Sequence, residues 1–155
     1  MVKIGPDFDI ELVQFFEVIY HKYGHDFRNY SKASMKRRVI QALTQLKCVS
    51  LSSLQDKIFS DPGFFSELLS FLTIPVSEMF RDPSYFRSIR EKVIPLLRTY
   101  PSLKIWIAGC STGEEAYSFA ILLKEEGLLG RTIIYATDIN PISLKKAEAG
   151  IFKLR

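Results

Sequence analysis

The sequence predicts an α/β protein in which an all-α helical bundle precedes the opening of a parallel sheet. Apolar residues recur at three- and four-residue spacing through the first 72 positions, which is typical of amphipathic helices. In the second half, two short apolar runs at 103–108 and 132–137 alternate with helical segments. A strand–loop–helix–strand–helix order is characteristic of parallel α/β sheets.

Four helices are predicted in the first half, and proline and capping residues mark several of their ends. An apolar stripe begins at Phe8 and the first helix ends near Gly24, while Asp61-Pro62 starts the fourth. The predicted spans are 8–23, about 32–47, from Ser50 or Ser52 through 59, and 62–72. The phenylalanines assigned to the core are Phe59, Phe64, Phe65, Phe71 and Phe80.

The second half begins with a helix that starts at Asp82-Pro83 and extends to about Arg98, with a kink predicted at Pro95. A first strand at 103–108 leads through a glycine-containing loop into a helix over about 114–126. A second strand at 132–137 precedes a last helix that starts at Asn140-Pro141 and extends to about Ala149.

Composition excludes several classes of protein. Hydrophobic residues make up 47% of the 155 residues and charged residues 25%, so a disordered chain is excluded. No apolar run approaches the roughly 20 residues of a membrane span. The N-terminus has no apolar signal core, and two cysteines are too few for a disulfide framework, so we expect a reduced, cytoplasmic setting. His21 and His25 lie four residues apart, but no cysteine or acid other than Asp26 could complete a metal site, so an ordinary surface pair is expected and no metal.

Positive charge is concentrated in one segment. Residues 20–60 carry eight lysines and arginines against two acids, although the whole chain has a net charge of only +4. A local positive field points to an acidic partner for this segment, either nucleic acid or an acidic protein surface.

A glycine loop and an aspartate predict a nucleoside site. Gly109 and Gly113 lie where the first strand must turn into a helix beneath a ligand. Asp138 follows the second strand, where an acid can accept the two hydroxyls of an adenosine ribose.

The residues after the loop favour a cationic ligand. A pyrophosphate prefers the positive N-terminus of a helix, but Glu114 and Glu115 occupy that first turn and would repel it. S-adenosylmethionine (SAM) carries a ribose with a sulfonium and an ammonium instead of phosphates, so SAM is favoured over NAD. Alternatively, the two glutamates only complement the helix dipole.

Three motifs resemble one known family. Residues 106–118, WIAGCSTGEEAYS, resemble the signature of chemotaxis receptor methyltransferases of the CheR type. Residues 136–140, ATDIN, resemble the second motif of that family, and residues 77–83, SEMFRDP, resemble its junction motif. Pro75 and Met79 depart from the pattern of some members.

The resemblance implies a Rossmann-like enzyme that transfers a methyl group from SAM to glutamate side chains of chemoreceptor helices, leaving S-adenosylhomocysteine. By position it implies that Ser77 and Arg81 act around the cofactor and the active site, with Arg81 the catalytic residue. It implies that Glu115 lies near the methionine end of the cofactor and that Asp138 binds the ribose, with Gly109 and Gly113 in the cofactor loop. Alternatively, Arg81 pairs only with Asp82 or Glu78.

The basic segment is then expected to dock on the acidic, glutamate-bearing cytoplasmic helices of the receptors, rather than on nucleic acid or in a membrane. On a helical wheel the apolar stripe of the second helix faces the core, Lys32 and Lys36 flank one edge, and Arg37 and Arg38 point to solvent. The alternative is an ordinary solvated face.

Two other functions remain open from the sequence. One is a non-catalytic receptor-docking or regulatory fragment, and the other, disfavoured by Glu114 and Glu115, is an oxidoreductase. Binding of SAM would distinguish the methyltransferase from the non-catalytic fragment, and binding of NAD would instead favour the oxidoreductase.

The predicted domains are a basic helical domain at 1–78, followed at 79–155 by a linker helix and a partial SAM-binding domain. Because only two strands of a sheet of about seven are present, a truncated chain is expected, with self-association through the incomplete sheet. The apolar residues expected to face water are Ile105, Ile107, Ile133, Ile134, Ile151 and Phe152.

Overall fold

The computed structural model describes residues 4–73 and 77–152. The chain separates into two compact units, Met1–Ile74 and Pro75–Arg155. Pro75, one of the two departures from the family motif, lies outside the described residues.

The described part of the N-terminal unit contains four helices, α1 (Phe8–Tyr23), α2 (Lys32–Gln45), α3 (Leu51–Ser60) and α4 (Pro62–Leu72). Local chemistry sets their ends. Helix α1 ends at Gly24, which adopts a left-handed conformation with φ +74°. Ser50 and Ser53 form a reciprocal capping box on α3. The Asp61 side chain accepts a hydrogen bond from the Gly63 amide ahead of α4, with Pro62 in the first turn.

The core of this unit consists of side chains no more than 5% exposed, drawn from all four helices. Its helical members are Phe8, Leu12, Phe15, Phe16, Ile19, Met35, Val39, Ala42, Leu43, Leu51, Leu54, Ile58, Phe65, Leu68, Leu69 and Leu72. The apolar periodicity therefore locates the buried faces.

One core assignment is wrong. Phe59 is 41% exposed, because α3 buries Leu51, Leu54 and Ile58, and residue 59 lies a further 100° round the helix. Its ring is covered instead by the Lys22 ammonium, 3.7 Å from the ring centroid.

The C-terminal unit begins with a helix that is not regular. The sequence predicts one helix to Arg98, but the structure has α5 (Pro83–Ser88), a π-helical turn (Ile89–Val93) and α6 (Ile94–Leu97). In the π turn the Ile94 amide donates to the Ile89 carbonyl, five residues back. Pro95 has no N–H and its ring crowds the preceding turn, so a wider turn accommodates it.

Two parallel strands follow, β1 (Leu103–Ala108) and β2 (Thr132–Thr137), paired from Leu103↔Thr132 to Ala108↔Thr137. Helix α7 (Glu114–Glu125) connects them, and α8 (Pro141–Ala149) follows β2. Because parallel strands end at the same edge, the glycine loop meets the end of β2: the Gly109 and Cys110 amides donate to the Thr137 carbonyl at 2.8 and 2.9 Å. The predicted helical bundle and strand–helix–strand–helix order are confirmed.

The sheet has one covered face and one exposed face. Leu103 of β1 packs with Ile94, Leu123 and Leu128, and Ile105 and Ile134 are half-buried against that cluster. The opposite face presents Trp106 at 70% exposure, together with Ile133 and Tyr135.

The prediction that six apolar residues face water is wrong for Ile105, Ile107 and Ile134, which lie on the covered face of the sheet. Ile107 is buried at 5%, because alternate residues of β1 point to the covered face. Ile133 and Ile151 are exposed as predicted. Phe152 is half-buried and packs edge-on against the Tyr117 ring.

No described helix is both long enough and apolar enough to cross a bilayer.

Candidate functional site

A cleft of about 700 Å³ lies within the C-terminal unit, between the junction segment (residues 77–88) and the glycine loop (residues 109–113). Four of the residues predicted from the sequence line it: Ser77, Arg81, Gly109 and Glu115. Arg81 is exposed there, beside Glu78 and Asp82. The structure thus brings together residues that are up to 38 positions apart in the sequence.

The two predicted loop glycines have different surroundings. Both have positive φ, +80° at Gly109 and +99° at Gly113. A Cβ on Gly109 would meet nothing within 4 Å, whereas one on Gly113 would lie 2.9 Å from the Ala147 Cβ. Gly113 is buried and does not line the cleft, so its glycine is required by the close approach of α8.

Asp138 binds the backbone of the loops that follow the two strands. Its Oδ2 accepts a hydrogen bond from the Ser111 amide and its Oδ1 one from the Asn140 amide, both at 2.8 Å. Asp138 does not line the cleft, and each of its oxygens retains a further lone pair. The carboxylate therefore fixes the glycine loop, and its predicted bond to a ribose stays a prediction.

Glu114 and Ser77 are neighbours in the structure. Burial raises the pKa of Glu114, but hydrogen bonds from the Thr112 hydroxyl, the Glu114 backbone amide and the Ser77 side chain outweigh it, so the pKa is lowered overall. The Thr112 Oγ1 lies 2.6 Å from the Glu114 carboxylate. Ser77 therefore joins the start of the junction segment to the first turn of α7, and Glu114 is ionised at neutral pH.

The field around the loop is negative. The pKa of the buried Cys110 thiol is raised, first by burial and then by the nearby carboxylates of Asp138 and Glu115. The Ser111 side chain lies in the same loop, and its buried Oγ has no hydrogen-bond partner among the described residues. A loop with carboxylates beside it and an unpaired hydroxyl suits a cationic ligand that carries polar groups, and SAM fits that description.

The described residues contain no cluster of three or more histidines, cysteines, aspartates or glutamates able to hold a metal ion.

Two buried polar residues near the cleft were not predicted as site residues. Asn140, 2% exposed, accepts hydrogen bonds from the Ile142 and Ser143 amides and so caps α8, two residues after Asp138. Ser118 is fully buried on α7 and contacts the junction segment. A serine on the apolar face of a predicted helix was the available signal for Ser118.

The four predicted docking residues of the N-terminal unit are not equivalent. Lys32 and Arg37 are exposed. The Lys36 ammonium pairs with Asp9 of α1 at 2.6 Å. The prediction that Arg38 points to solvent is wrong: it is half-buried and donates to the Leu72 carbonyl at 2.6 Å, because the last carbonyls of α4 need donors.

Comparison with protein families gives a direct result. Residues 75–155 match the SAM-binding domain of CheR methyltransferase, and residues 10–73 match the all-alpha domain of the same enzyme. The chain belongs to the CheR methyltransferase family. The resemblance predicted from the three motifs is confirmed.

Curated relatives of the CheR family agree. The chain is 63% identical over 147 residues to a Pseudomonas putida protein that bears the name methyltransferase Cher3. The matched region covers 95% of this chain and 54% of that protein. It is 31% identical to a chemotaxis protein methyltransferase of Listeria innocua (97% of this chain, 58% of the relative) and 26% identical to one of Salmonella typhimurium (89% and 48%). The chain thus spans about half the length of these relatives.

Proposed function

We propose that this CheR-family chain binds SAM in the cleft and serves the transfer of its methyl group to glutamate side chains of chemoreceptor helices in the cytoplasm. The observation that carries the proposal is one cleft in which the glycine loop and the Glu115 carboxylate face Ser77 and Arg81. Family membership and the chemotaxis methyltransferases among the relatives support it.

The residues in and beside the cleft have different proposed roles. Glu115 provides a carboxylate for the cationic methionine end of SAM, and the remaining lone pairs of Asp138 suit the ribose hydroxyls. Gly109 leaves open space beside the loop for close approach of the ligand. When bound, SAM supplies a methyl group already activated by the sulfonium charge.

Arg81 is the proposed catalytic residue. An exposed guanidinium in the cleft can pair with the carboxylate of bound SAM, and it can hold an incoming glutamate carboxylate by paired hydrogen bonds and orient it toward the cofactor. Holding two reactants in line accounts for much of the rate in reactions of this kind. Ser77, bonded to Glu114, keeps the start of the junction segment against the loop.

For the N-terminal unit we propose docking on the acidic receptor helices through the positive surface of α2. Lys32 and Arg37 are exposed and give this surface most of its accessible charge, while Lys36 contributes beside its pair with Asp9. Complementary charge speeds encounter and orients partners. Arg38 acts here mainly by fixing α4.

The proposal extends to self-association of this chain. Trp106 and Tyr135 lie side by side on the exposed face of the two-stranded sheet, with Ile133 next to them. A contiguous aromatic and aliphatic patch of this kind favours association.

Calorimetric titration with SAM tests the cofactor site. The intact chain should bind SAM, and Asp138→Ala should weaken this binding at least tenfold because it releases the glycine loop. The control is Glu91→Ala, which should leave SAM binding unchanged, since Glu91 is an exposed acid of the π turn outside the cleft. Transfer of a labelled methyl group to a receptor cytoplasmic fragment tests the reaction. Absence of SAM binding at millimolar concentration contradicts the proposal, and binding of NAD instead would support the oxidoreductase.

A further inference from the structure

Ser118 connects the junction segment to the glycine-loop helix. It lies on α7 with no exposed surface. Its Oγ accepts a hydrogen bond from the Phe80 amide at 2.9 Å and donates to the Glu114 carbonyl at 2.6 Å. A hydroxyl has one proton, so donation to Glu114 leaves its lone pairs for Phe80. The Met79 Sδ lies 3.9 Å away.

The residue held by Ser118 has an unusual backbone. Phe80 adopts φ +51°, a left-handed conformation that is costly for a bulky side chain. Such a conformation persists only where the surroundings fix it. The Phe80 ring packs edge-on against Phe86, at 5.1 Å between ring centroids, and the amide is fixed by Ser118.

The position of Phe80 determines where Arg81 begins. A change in the Phe80 dihedral angles would redirect the next residue, and Arg81 is the guanidinium that lines the cleft. Through Glu114, Ser118 also bonds to the first turn of α7, directly after the loop. One buried hydroxyl therefore sets the spacing between Arg81 and the loop.

We propose that Ser118 is a positioning residue that acts through Arg81: its hydrogen bond to the strained Phe80 amide holds Arg81 at the cofactor cleft. The inference rests on the proposed function for its role in SAM binding, but the hydrogen bond can be tested without it.

A double-mutant cycle in SAM binding tests the role. Arg81→Ala should weaken SAM binding about tenfold in the native chain and less than twofold in the Ser118→Ala background, because Arg81 is already displaced there. Asp138→Ala should cost the same in both backgrounds. Equal costs of Arg81→Ala in both backgrounds, or no cost in the native chain, would overturn the proposal.

Hydrogen exchange separates this proposal from the proposed function. In Ser118→Ala the Phe80 amide should exchange at least tenfold faster, while the amides of β1 are unchanged. Ser60→Ala is the matched control, since Ser60 makes the same hydroxyl bond to the carbonyl four residues back, at 2.7 Å, in α3. An unchanged Phe80 amide overturns the proposal even if the chain does not bind SAM.

A second variant covers the case in which the alanine variant does not fold. Ser118→Cys fills nearly the same volume with a weaker acceptor. We expect Phe80 exchange to be intermediate between the native chain and the alanine variant. Native exchange in Ser118→Cys, with Ser118→Ala unfolded, would also count against the proposal.

Discussion

At the residue scale, two carboxylates beside the glycine loop have structural partners before any ligand is considered. Asp138 accepts two backbone amides, and Glu114 accepts the hydroxyl of Thr112. Asp26 in the N-terminal unit shows the same effect outside the site: hydrogen bonds from the Arg28 side chain and backbone lower its pKa to about 2. Carboxylates in these loops therefore organise the backbone as well as providing charge.

The two loop glycines should respond differently to substitution. We expect Gly113→Ala to reduce the free energy of unfolding by about 3 kcal/mol, from left-handed strain and overlap with Ala147. Gly109→Ala should cost about 1 kcal/mol, from strain alone, because its surroundings are open. Urea unfolding followed by the fluorescence of Trp106, the single tryptophan, measures both. Equal losses would contradict the assignment of Gly113 to helix packing.

At the element scale, helix ends explain most of the fold. Capping residues, prolines and glycines mark the starts of α3, α4 and α8 and the end of α1, and the sequence predicts these ends closely. The helix of residues 83–97 is the exception. A proline inside a helix predicts a kink, but whether the chain bends or widens into a π turn depends on how the whole segment packs.

Two adjacent arginines of α2 should separate stability from docking. Arg38→Ala removes the bond to the last carbonyl of α4 and should lower the stability of the N-terminal unit by about 1 kcal/mol, measured by circular dichroism at 222 nm. Arg37→Ala should leave stability within about 0.5 kcal/mol, since the side chain is exposed.

Receptor binding tests the docking role of Arg37. Arg37→Ala should weaken association with a receptor cytoplasmic fragment at low salt, and this loss of affinity relative to the native chain should shrink as salt is raised. Affinity unaffected by Arg37→Ala at low salt would show that this surface does not dock.

At the scale of the whole molecule, the positive segment at residues 20–60 and the exposed face of the sheet lie in different units. Residues 20–60 of the N-terminal unit carry eight lysines and arginines against two acids, and the exposed Trp106 and Tyr135 are on the sheet of the C-terminal unit. The two surfaces therefore suit different partners and can be altered separately.

Self-association should depend on the sheet and not on the basic helices. Sedimentation velocity at increasing concentration should show dimers or larger species for the native chain, and Trp106→Ser with Tyr135→Ser should shift it to the monomer. Arg37→Ala serves as the control and should change nothing. A native chain that stays monomeric at 100 μM, on the order of the concentrations where such patches associate, would contradict the proposal.

The order of the elements, most of their ends and the family could be predicted from the amino-acid sequence. These features depend on local signals, such as the spacing of apolar residues, Asp-Pro and Asn-Pro helix starts and contiguous motifs, which neighbouring residues carry together. The sequence also predicted four residues that line the cleft, because motif positions at the ends of parallel strands and at the junction converge in this fold.

The partners of the polar side chains, in contrast, depend on how distant parts of the chain pack together. Arg38 meets the Leu72 carbonyl across 34 positions, Asp138 the Ser111 amide across 27, and Ser118 the Phe80 amide across 38. No spacing rule reaches so far, because these partners are set by how the helices pack. The same packing assigns Gly113 to helix contact and Gly109 to the cleft, although the sequence presents them as a pair.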